Sequence, residues 1–212
     1  MYKWQHLYLP PLYGILGLKF RFQDFTATFF GGYNGPVRVN PHSAWRWFQL
    51  FFAKAVWAAW RIGVPLAVFG VPPAQFWALF VLSEWITGYY LAFNFQVSHV
   101  STECDYPLGA TTADTIADEW AVSQIKSSVD YGHGSWTIAF LSGALNYQVT
   151  HHLFPGVSQY HYPAIAPIIM GVCAKHGVRY PCLPTFGAAF AAHIAHLRNL
   201  GRQGISADVH MG

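Results

Sequence analysis

The chain has 212 residues, of which 53% are hydrophobic, 18% aromatic and only 10% charged. Soluble domains usually carry about 25% charged residues, so this composition argues against a soluble domain and is typical of a membrane protein. The formal net charge of +3 comes from scattered residues with no run of Lys or Arg, which argues against a nucleic-acid-binding surface.

Residues 1–43 are predicted to form a cytosolic or interfacial segment. The apolar run that begins at His6 contains Pro10, Pro11 and Gly14, so it is too short and too broken to cross a bilayer. Basic residues cluster around the start of the first predicted span, which places this face in the cytosol by the positive-inside tendency. These residues are Lys19, Arg21, Arg38 and Arg46.

Residues 44–98 are predicted to form a transmembrane helical hairpin. About 20 apolar residues suffice to cross the hydrocarbon core. Ala44–Gly70 is apolar but contains Lys54 and Arg61, which must face a bundle interior or extend to the headgroups. After a reversal at Val71–Pro73, Gln75–Val97 forms the cleaner span.

Residues 99–201 are predicted to form a cytosolic helical part that carries the functional site, and residues 202–212 a tail. The expected fold class is therefore all-α and integral to the membrane. The helices predicted in this part cover Asp118–Ser127, Trp136–Val149, Ala164–Lys175 and Thr185–Leu200, with Thr185 as an N-cap. The second of these is too short to cross a bilayer and is expected to be buried or interfacial.

Histidine is unusually frequent in this charge-poor chain, with eleven residues. A buried metal site is one of the few reasons for a membrane protein to keep so many titratable rings. Helical spacing would place Gln148, His151 and His152 on one face, and neutral imidazole is the commonest protein metal ligand. A histidine pair at a helix end can also simply cap carbonyl groups. The three cysteines form no C-x-x-C pair and argue for a reducing compartment.

Several stretches of the sequence share the pattern of one protein family. They are His6–Pro10 with Leu12–Gly14, Asn94–Ser101, Asp118–Gln124, Leu145–Pro155 and Tyr160–Pro167. Together they resemble the C-terminal half of membrane fatty acyl desaturases, specifically the front-end group that makes polyunsaturated fatty acids. The most specific stretch is Q-x-x-H-H at Gln148–His152, because a glutamine in place of the first histidine of this box marks the front-end group.

The resemblance implies a pair of irons held by histidines from three boxes, which activate dioxygen and remove two hydrogens from an acyl chain. It identifies His151 and His152 as iron ligands and His99 as the lone histidine ligand between the second and third boxes. Gln148 would be a ligand or a hydrogen-bond donor to one. The implied partners are membrane lipid, an acyl chain carried by CoA or by a phospholipid, and cytochrome b5 as electron donor, separate or fused upstream. The implied location is the endoplasmic reticulum membrane, crossed more than once, with the site facing the cytosol.

Further residues are candidates for orienting the ligands. A related desaturase group has an Asn four residues before the lone histidine, where this chain has Phe95, and Gln96 is the predicted substitute. Asp130, Glu103 and His133 are candidates for hydrogen bonds to ligating imidazoles, although both carboxylates are also explained as solvated surface groups. Two other histidines, His193 and His196, are predicted to lie on an exposed helix surface.

The first two histidine boxes of the family, H-x-x-x-H and H-x-x-H-H, do not occur in this sequence, and neither does the H-P-G-G haem motif of cytochrome b5. The chain is therefore expected to be a C-terminal portion that carries under half of the di-iron ligands. On this expectation it neither holds two irons nor desaturates a substrate alone.

The predicted reaction is insertion of a cis double bond toward the carboxyl end of a polyunsaturated acyl chain. Val100–Tyr106 and Gly143–Ile169 look most like the delta-5 and delta-4 enzymes, and delta-5 is favoured. One alternative is a sphingolipid delta-8 desaturase, which shares the glutamine box. Others are a membrane haem- or metal-binding module and a non-catalytic membrane subunit.

Overall fold

The structure, a computed structural model, describes residues 2–34, 37–106 and 118–207. It is mainly helical, with two short pairs of strands. The α-helices are α1 (Gln5–Leu12), α2 (Leu16–Phe25), α3 (Ala44–Ala58), α4 (Pro73–His99), α5 (Trp120–Lys126), α6 (Trp136–Ser142), α7 (Gln148–Leu153), α8 (Tyr162–Lys175) and α9 (Phe186–Ala207). The strands are β1 (Tyr33–Asn34), β2 (Val37–Arg38), β3 (Asp130–Tyr131) and β4 (Cys182–Leu183). Turns of 3-10 helix cover Tyr2–Trp4, Tyr13–Ile15, Leu145–Tyr147 and Gln159–His161, and π-helix covers Thr26–Gly31 and Ala59–Val68.

The chain divides into two compact units. The hairpin unit is Tyr13–Tyr89, and the site unit is Met1–Leu12 together with Tyr90–Gly212. The division falls within α4.

The two predicted membrane spans are present as helices long and apolar enough to cross a bilayer. The first, Ala44–Val68, has 25 residues, and the second, Pro73–His99, has 27. Ser43 caps the first helix, since its hydroxyl accepts a hydrogen bond from the Arg46 N–H at 3.3 Å. Large apolar side chains cover the outside of α3, as a lipid-facing helix requires. They include Trp45, Phe48, Phe52 and Val56.

Inside the hairpin unit, two glycines let the chain approach α4 closely. A Cβ added at Gly88 would lie 2.2 Å from the carbonyl oxygen of Gly14, and one added at Gly14 would overlap the Trp85 ring. Farther along, Arg21 of α2 forms a two-pronged ion pair with Glu84 of α4, with both N···O distances 3.3 Å. The segment before α3 is thus largely helical, more ordered than the broken interfacial run expected from its prolines.

The site unit packs its core around α7. Val149 of α7 lies in one buried cluster with Ile125 of α5 and with Ile169 and Cys173 of α8. A second cluster, centred on Tyr147 and Tyr162, joins the turn before α7 to α8. Because α7 has only six residues, packing of this kind rather than intrinsic helix propensity must hold it in place.

The prediction of one continuous helix over Trp136–Val149 was wrong. The chain forms α6, a left-handed break at Gly143 (φ 60°) and Ala144 (φ 59°), a 3-10 turn and then α7. The N–H of Ala144 bonds back to the carbonyl of Ala139 at 2.7 Å, which closes the end of α6 as a Schellman-type cap. An alanine carries no sequence signal for a positive φ, so the break was not foreseen.

Short strands modify the all-α expectation without changing the helical character of the chain. In the parallel pair formed by β3 and β4, Asp130 lies beside Cys182 and Tyr131 beside Leu183.

The last helix matches its predicted start but continues farther. The Thr185 hydroxyl accepts a hydrogen bond from the Ala188 N–H at 3.1 Å, which confirms the N-cap. α9 extends to Ala207, into the segment expected to be a tail. The remainder of that tail (208–212) and the middle of the polar stretch after α4 (107–117) lie outside the described residues.

Candidate metal site

His99 is the last residue of α4, and three successive carbonyl groups at this helix end, those of Ser98, His99 and Val100, have hydrogen-bond donors. The carbonyl of Ser98 accepts from the Val129 N–H at 2.9 Å. The Tyr106 hydroxyl lies 2.9 Å from the carbonyl of His99. The carbonyl of Val100 accepts from the His193 ring at 2.6 Å. These hydrogen bonds satisfy carbonyl groups that a helix end leaves without partners inside the helix, so the backbone that carries His99 is anchored.

The prediction that His193 and His196 lie on an exposed surface was wrong for His193. His193 is fully buried, and its Nδ1 must carry a hydrogen because it faces a carbonyl oxygen. Burial lowers the pKa of His193, which keeps the ring neutral. His196 is half-buried and packs on Tyr106, with ring centroids 4.6 Å apart. The spacing of Ala189, His193 and Leu197, each four residues apart and all buried, is the sequence signal that marks this inner face.

The predicted ligands on α7 face two different neighbours. The Nδ1 atom of His151 lies 3.1 Å from the hydroxyl of Tyr162 on α8. The His152 ring stacks on the His99 ring, with centroids 5.0 Å apart and planes 22° from parallel. The structure therefore brings His99 and His152 together from helices that are about fifty residues apart in sequence. The rings of His151 and His152 have centroids 6.0 Å apart.

The His152 ring has the state that a metal ligand requires. Burial, followed by repulsion from His99 and His151, lowers the pKa of His152 to about 4, so the ring is neutral at pH 7. Its Nδ1 atom is buried and has no hydrogen-bond partner among the described residues. A buried, unpaired ring nitrogen is costly unless another group binds it. This donor atom fits a metal ion.

The ligand set in the described part of the chain is nevertheless partial. The described part of the chain contains no group of three His, Cys, Asp or Glu side chains close enough to hold a metal ion. Gln148 is buried at the start of α7, and Gln96 is half-buried on α4, three residues before His99. The imidazole nitrogens of His99, His151 and His152 are donors of the type that oxygen-activating iron accepts, and they fit iron as one side of a site.

The hydrogen bonds described for Asp130, a candidate for orienting imidazoles, go to residues other than the predicted ligands. Its carboxylate is fully buried in β3. Oδ1 accepts a hydrogen bond from the Val149 N–H of α7 at 2.8 Å. Oδ2 accepts from His133 Nε2 at 2.9 Å and from the Tyr180 hydroxyl. Asp130 therefore acts on the helix that carries the histidines.

His133 supplies the positive charge that this buried carboxylate needs. Burial alone would lower the pKa of His133, but hydrogen bonds to Asp130 and Cys182 and the Asp130 charge raise it to about 9. The ring also stacks on Tyr147, with centroids 4.4 Å apart. Burial and the Asp130 charge raise the pKa of Tyr180, so its hydroxyl remains a donor. Sequence reasoning missed Tyr147 and Tyr180, since no local pattern marks contacts between such distant residues.

Glu103 has a different environment from Asp130. It forms an ion pair with Arg179, whose side chain is 61% exposed. This pairing matches the alternative of a solvated surface carboxylate, and among the described residues no predicted ligand donates a hydrogen bond to Glu103.

A largely apolar cavity of about 350 Å³ lies in the site unit, beside the last turns of α4. Its wall consists mainly of aromatic and aliphatic side chains from α4, β3, α6 and α9. These are Tyr90, Phe93, Tyr131, Ile138, Leu141 and Phe186. A cavity of this size and character suits an apolar chain segment better than a polar ligand.

Comparisons with known proteins agree with this picture. The sequence profile of the family "Fatty acid desaturase" matches residues 2–184. The chain is 40% identical to the acyl-lipid (8-3)-desaturase of Mortierella alpina, over 93% of this chain and 44% of that protein. It is 37% identical to the Delta(5) fatty acid desaturase A of Dictyostelium discoideum, over 94% of this chain and 43% of that protein. It is 31% identical to the sn-1 linoleoyl-lipid 6-desaturase of Synechocystis sp., over 95% of this chain and 56% of that protein.

No solved structure matches the chain. The chain spans about half the length of the curated relatives it matches, or somewhat less. The profile nevertheless covers most of its sequence, including the described residues of the candidate site. The chain belongs to the fatty acid desaturase family.

Proposed function

We propose that this chain is the C-terminal part of an iron- and oxygen-dependent front-end fatty acyl desaturase. The observation that carries the proposal is the stacking of His152, with its unpaired buried Nδ1, on His99. The names of the relatives support the reaction class, since they are desaturases that act on fatty acyl groups. The desaturase of Dictyostelium discoideum is named as a Delta(5) enzyme, which favours delta-5 for this chain.

In this proposal His99, His151 and His152 hold iron through neutral ring nitrogens, and Gln148 adds an amide at the start of α7. Iron supplies the activation of dioxygen that hydrogen removal from an unactivated acyl chain requires. Tyr162 fixes the ring orientation of His151 through Nδ1, which leaves Nε2 for the metal. The capped end of α4 holds His99 against His152.

The remaining ligands come from outside the described residues. Three histidines and one glutamine are under half of the set that two irons need in the family, so the 212-residue chain is expected to hold fewer than two irons. It is also expected not to desaturate a substrate alone. Cytochrome b5, separate or fused upstream, is the proposed electron donor.

The substrate in this proposal is a polyunsaturated acyl chain at the cytosolic face of the endoplasmic reticulum membrane. The apolar cavity beside α4 is large enough to hold part of such a chain. Two relatives are named for acyl-lipid and linoleoyl-lipid substrates, which favours a lipid-bound acyl group over acyl-CoA.

A chimaeric enzyme tests the reaction. The matching segment of the Mortierella alpina protein is replaced by this chain, and yeast expressing the chimaera is fed polyunsaturated fatty acids. We expect a new delta-5 double bond by mass spectrometry, abolished by His152→Ala and retained in His161→Ala, whose ring is exposed. An inactive chimaera beside an active parent, expressed at equal level, contradicts the proposal. A double bond at another position, or in a sphingoid base, rejects the delta-5 assignment.

Metal analysis tests the ligand set separately. The purified chain, with and without His152→Ala, is titrated with Fe(II) under anaerobic conditions. We expect at least a 10-fold loss of affinity in His152→Ala and wild-type affinity in His161→Ala. Two tightly bound irons in the unmodified chain contradict the expectation of a partial ligand set. A haem absorption band would favour the haem-binding alternative instead.

A further inference from the structure

The carboxylate of Asp130 has a role in the site unit that the proposed ligands do not account for. It is fully buried and accepts hydrogen bonds from three donors: the Val149 N–H at 2.8 Å, His133 Nε2 at 2.9 Å and the Tyr180 hydroxyl. A buried carboxylate is tolerated only when it is paired and hydrogen-bonded in this way. The contact with Val149 is the one that reaches the proposed metal site.

Without the Asp130 carboxylate, the Val149 N–H would lose its hydrogen-bond acceptor. It is among the first N–H groups of α7, which have no partner inside the helix. Val149 is itself fully buried, so water does not replace a lost acceptor. A helix of six residues is not stable by itself, and its direction follows the contacts at its ends.

Residues next to Asp130 in the sequence also hold the chain just before α7. The His133 ring stacks on Tyr147, with centroids 4.4 Å apart. The Asn146 side chain donates a hydrogen bond to the carbonyl of Tyr131 at 3.1 Å. Gln148 therefore lies between two fixed residues, Tyr147 and Val149, and the turn that delivers it has little freedom to rotate.

We propose that Asp130 is a positioning residue for the metal site: its carboxylate, with His133 as counter-charge, sets the orientation of the helix that carries Gln148, His151 and His152. The inference rests on the proposed function, because it concerns the same metal site. The sequence suggested that Asp130 orients a ligating imidazole directly. In this inference Asp130 acts instead through its hydrogen bond to the backbone of α7.

The test compares Asp130→Asn with Asp118→Asn, using the 212-residue chain in lipid nanodiscs. Asp118 pairs with Lys126 at the surface, so this control removes the same charge without touching α7. The asparagine has one accepting oxygen, so either the Val149 N–H or the pair of donors on His133 and Tyr180 faces the amide NH2. Relief of this donor–donor contact changes the position of the start of α7. With Co(II) as the probe, we expect a 10- to 100-fold loss of affinity and a changed visible absorption spectrum in Asp130→Asn. Asp118→Asn should keep both. An unchanged affinity and spectrum in Asp130→Asn overturns the inference.

A second readout separates failure of this inference from failure of the proposed function. If the unmodified chain does not bind Co(II), or if binding survives His152→Ala, the proposed metal site loses its support. Asp130 is then judged by exchange of the Val149 amide hydrogen, followed by NMR on valine labelled with nitrogen-15. Exchange at least 10-fold faster in Asp130→Asn, and unchanged in Asp118→Asn, supports the positioning role. Equal exchange in all three proteins overturns it.

A milder variant covers the case in which Asp130→Asn does not fold. Tyr180→Phe removes one donor from the carboxylate and keeps its charge. We expect a two- to tenfold loss of Co(II) affinity, the size of one hydrogen bond. Wild-type affinity and an unchanged spectrum in folded Tyr180→Phe, with Asp130→Asn unfolded, also overturn the inference.

Discussion

Among the described side chains, each of the two units has one buried carboxylate, and the two are held differently. In the hairpin unit, Glu84 is 1% exposed and is paired with one cation, Arg21, whose side chain is 41% exposed. In the site unit, Asp130 is completely buried and has three separate donors. The first carboxylate joins two helices, and the second joins a strand, a turn and the start of α7.

The two carboxylates differ in how easily their partners can find other hydrogen-bonding groups. The guanidinium of Arg21 also lies over the Trp57 ring at 4.9 Å, and its exposed side can take up other partners. The donors around Asp130 have no such freedom, because the Val149 N–H is fully buried and His133 is stacked on Tyr147. Losing Glu84 should therefore loosen helix packing, whereas losing Asp130 should disorder the site.

The largest effect is expected for Asp130→Ala. This change leaves a buried N–H, a buried hydroxyl and the His133 charge without an acceptor, which costs about 3–5 kcal/mol of unfolding free energy. Thermal and denaturant unfolding followed by circular dichroism in detergent measure the loss. The control is Glu103→Ala, which breaks the exposed pair with Arg179 and should cost at most about 1 kcal/mol. Equal losses in the two variants would contradict the expected difference between a buried and an exposed carboxylate.

The next effect is a pH dependence that depends on His133. Its folded pKa of about 9 lies above the ordinary value of 6.5, with Asp130, Tyr147, Tyr180 and Cys182 around the ring. A raised pKa contributes stability that is fully present below about pH 6.5 and is lost as the pH rises through about 9. The expected loss is about 2–3 kcal/mol across that interval.

Unfolding free energies at several pH values, compared between the unmodified chain and His133→Gln, measure this dependence. The variant should show a flatter profile over the interval. His176→Gln, at an exposed histidine, should keep the original slope. A slope that persists unchanged in His133→Gln would assign the titration to another group.

In the hairpin unit, Gly88→Ala should cost about 1–3 kcal/mol, because the new methyl group meets the backbone of Gly14 and Tyr13. Gly63→Ala is the matched control, since its nearest neighbour is 4.0 Å away. The alanine there should be neutral or slightly stabilising. Unfolding temperatures in the same detergent compare the two, and a stabilised Gly88→Ala would show that the close approach does not exist.

The smallest expected effect is that of Glu84→Gln, at about 1–2 kcal/mol. The glutamine keeps the shape and removes the charge, and the half-exposed Arg21 can find solvent or headgroup oxygens. The Co(II) affinity of the chain should not change. A loss of stability as large as that of Asp130→Ala would remove the distinction between the two carboxylates.

Sequence reasoning recovered the features that have a local cause. The two spans follow from runs of apolar residues, and the start of α9 follows from a capping threonine. It missed the break at Ala144, where an alanine takes a positive φ because the surrounding packing requires it. It also missed the pairing of β3 with β4, since those strands are far apart in the chain and only two residues long.

For the candidate site, the sequence named His99 and His152 but not their arrangement. Their stacking depends on where α4 ends and on how α7 is held, and both are set by residues without a metal-ligand motif. His193 was placed at the surface because a run of alanines reads as an exposed helix face, although a small side chain also lets a helix pack closely.

The break at Gly143 and Ala144 separates the orientation of α7 from that of α6. Trp136 and Phe140 on α6 are 75% and 68% exposed. Because the hydrogen-bond ladder of α6 closes on itself at Ala144, bending or tilting of α6 is not passed along a continuous helix to α7. The orientation of α7, and of the histidines on it, is therefore set by its own packing and hydrogen bonds and not by continuation of the α6 ladder.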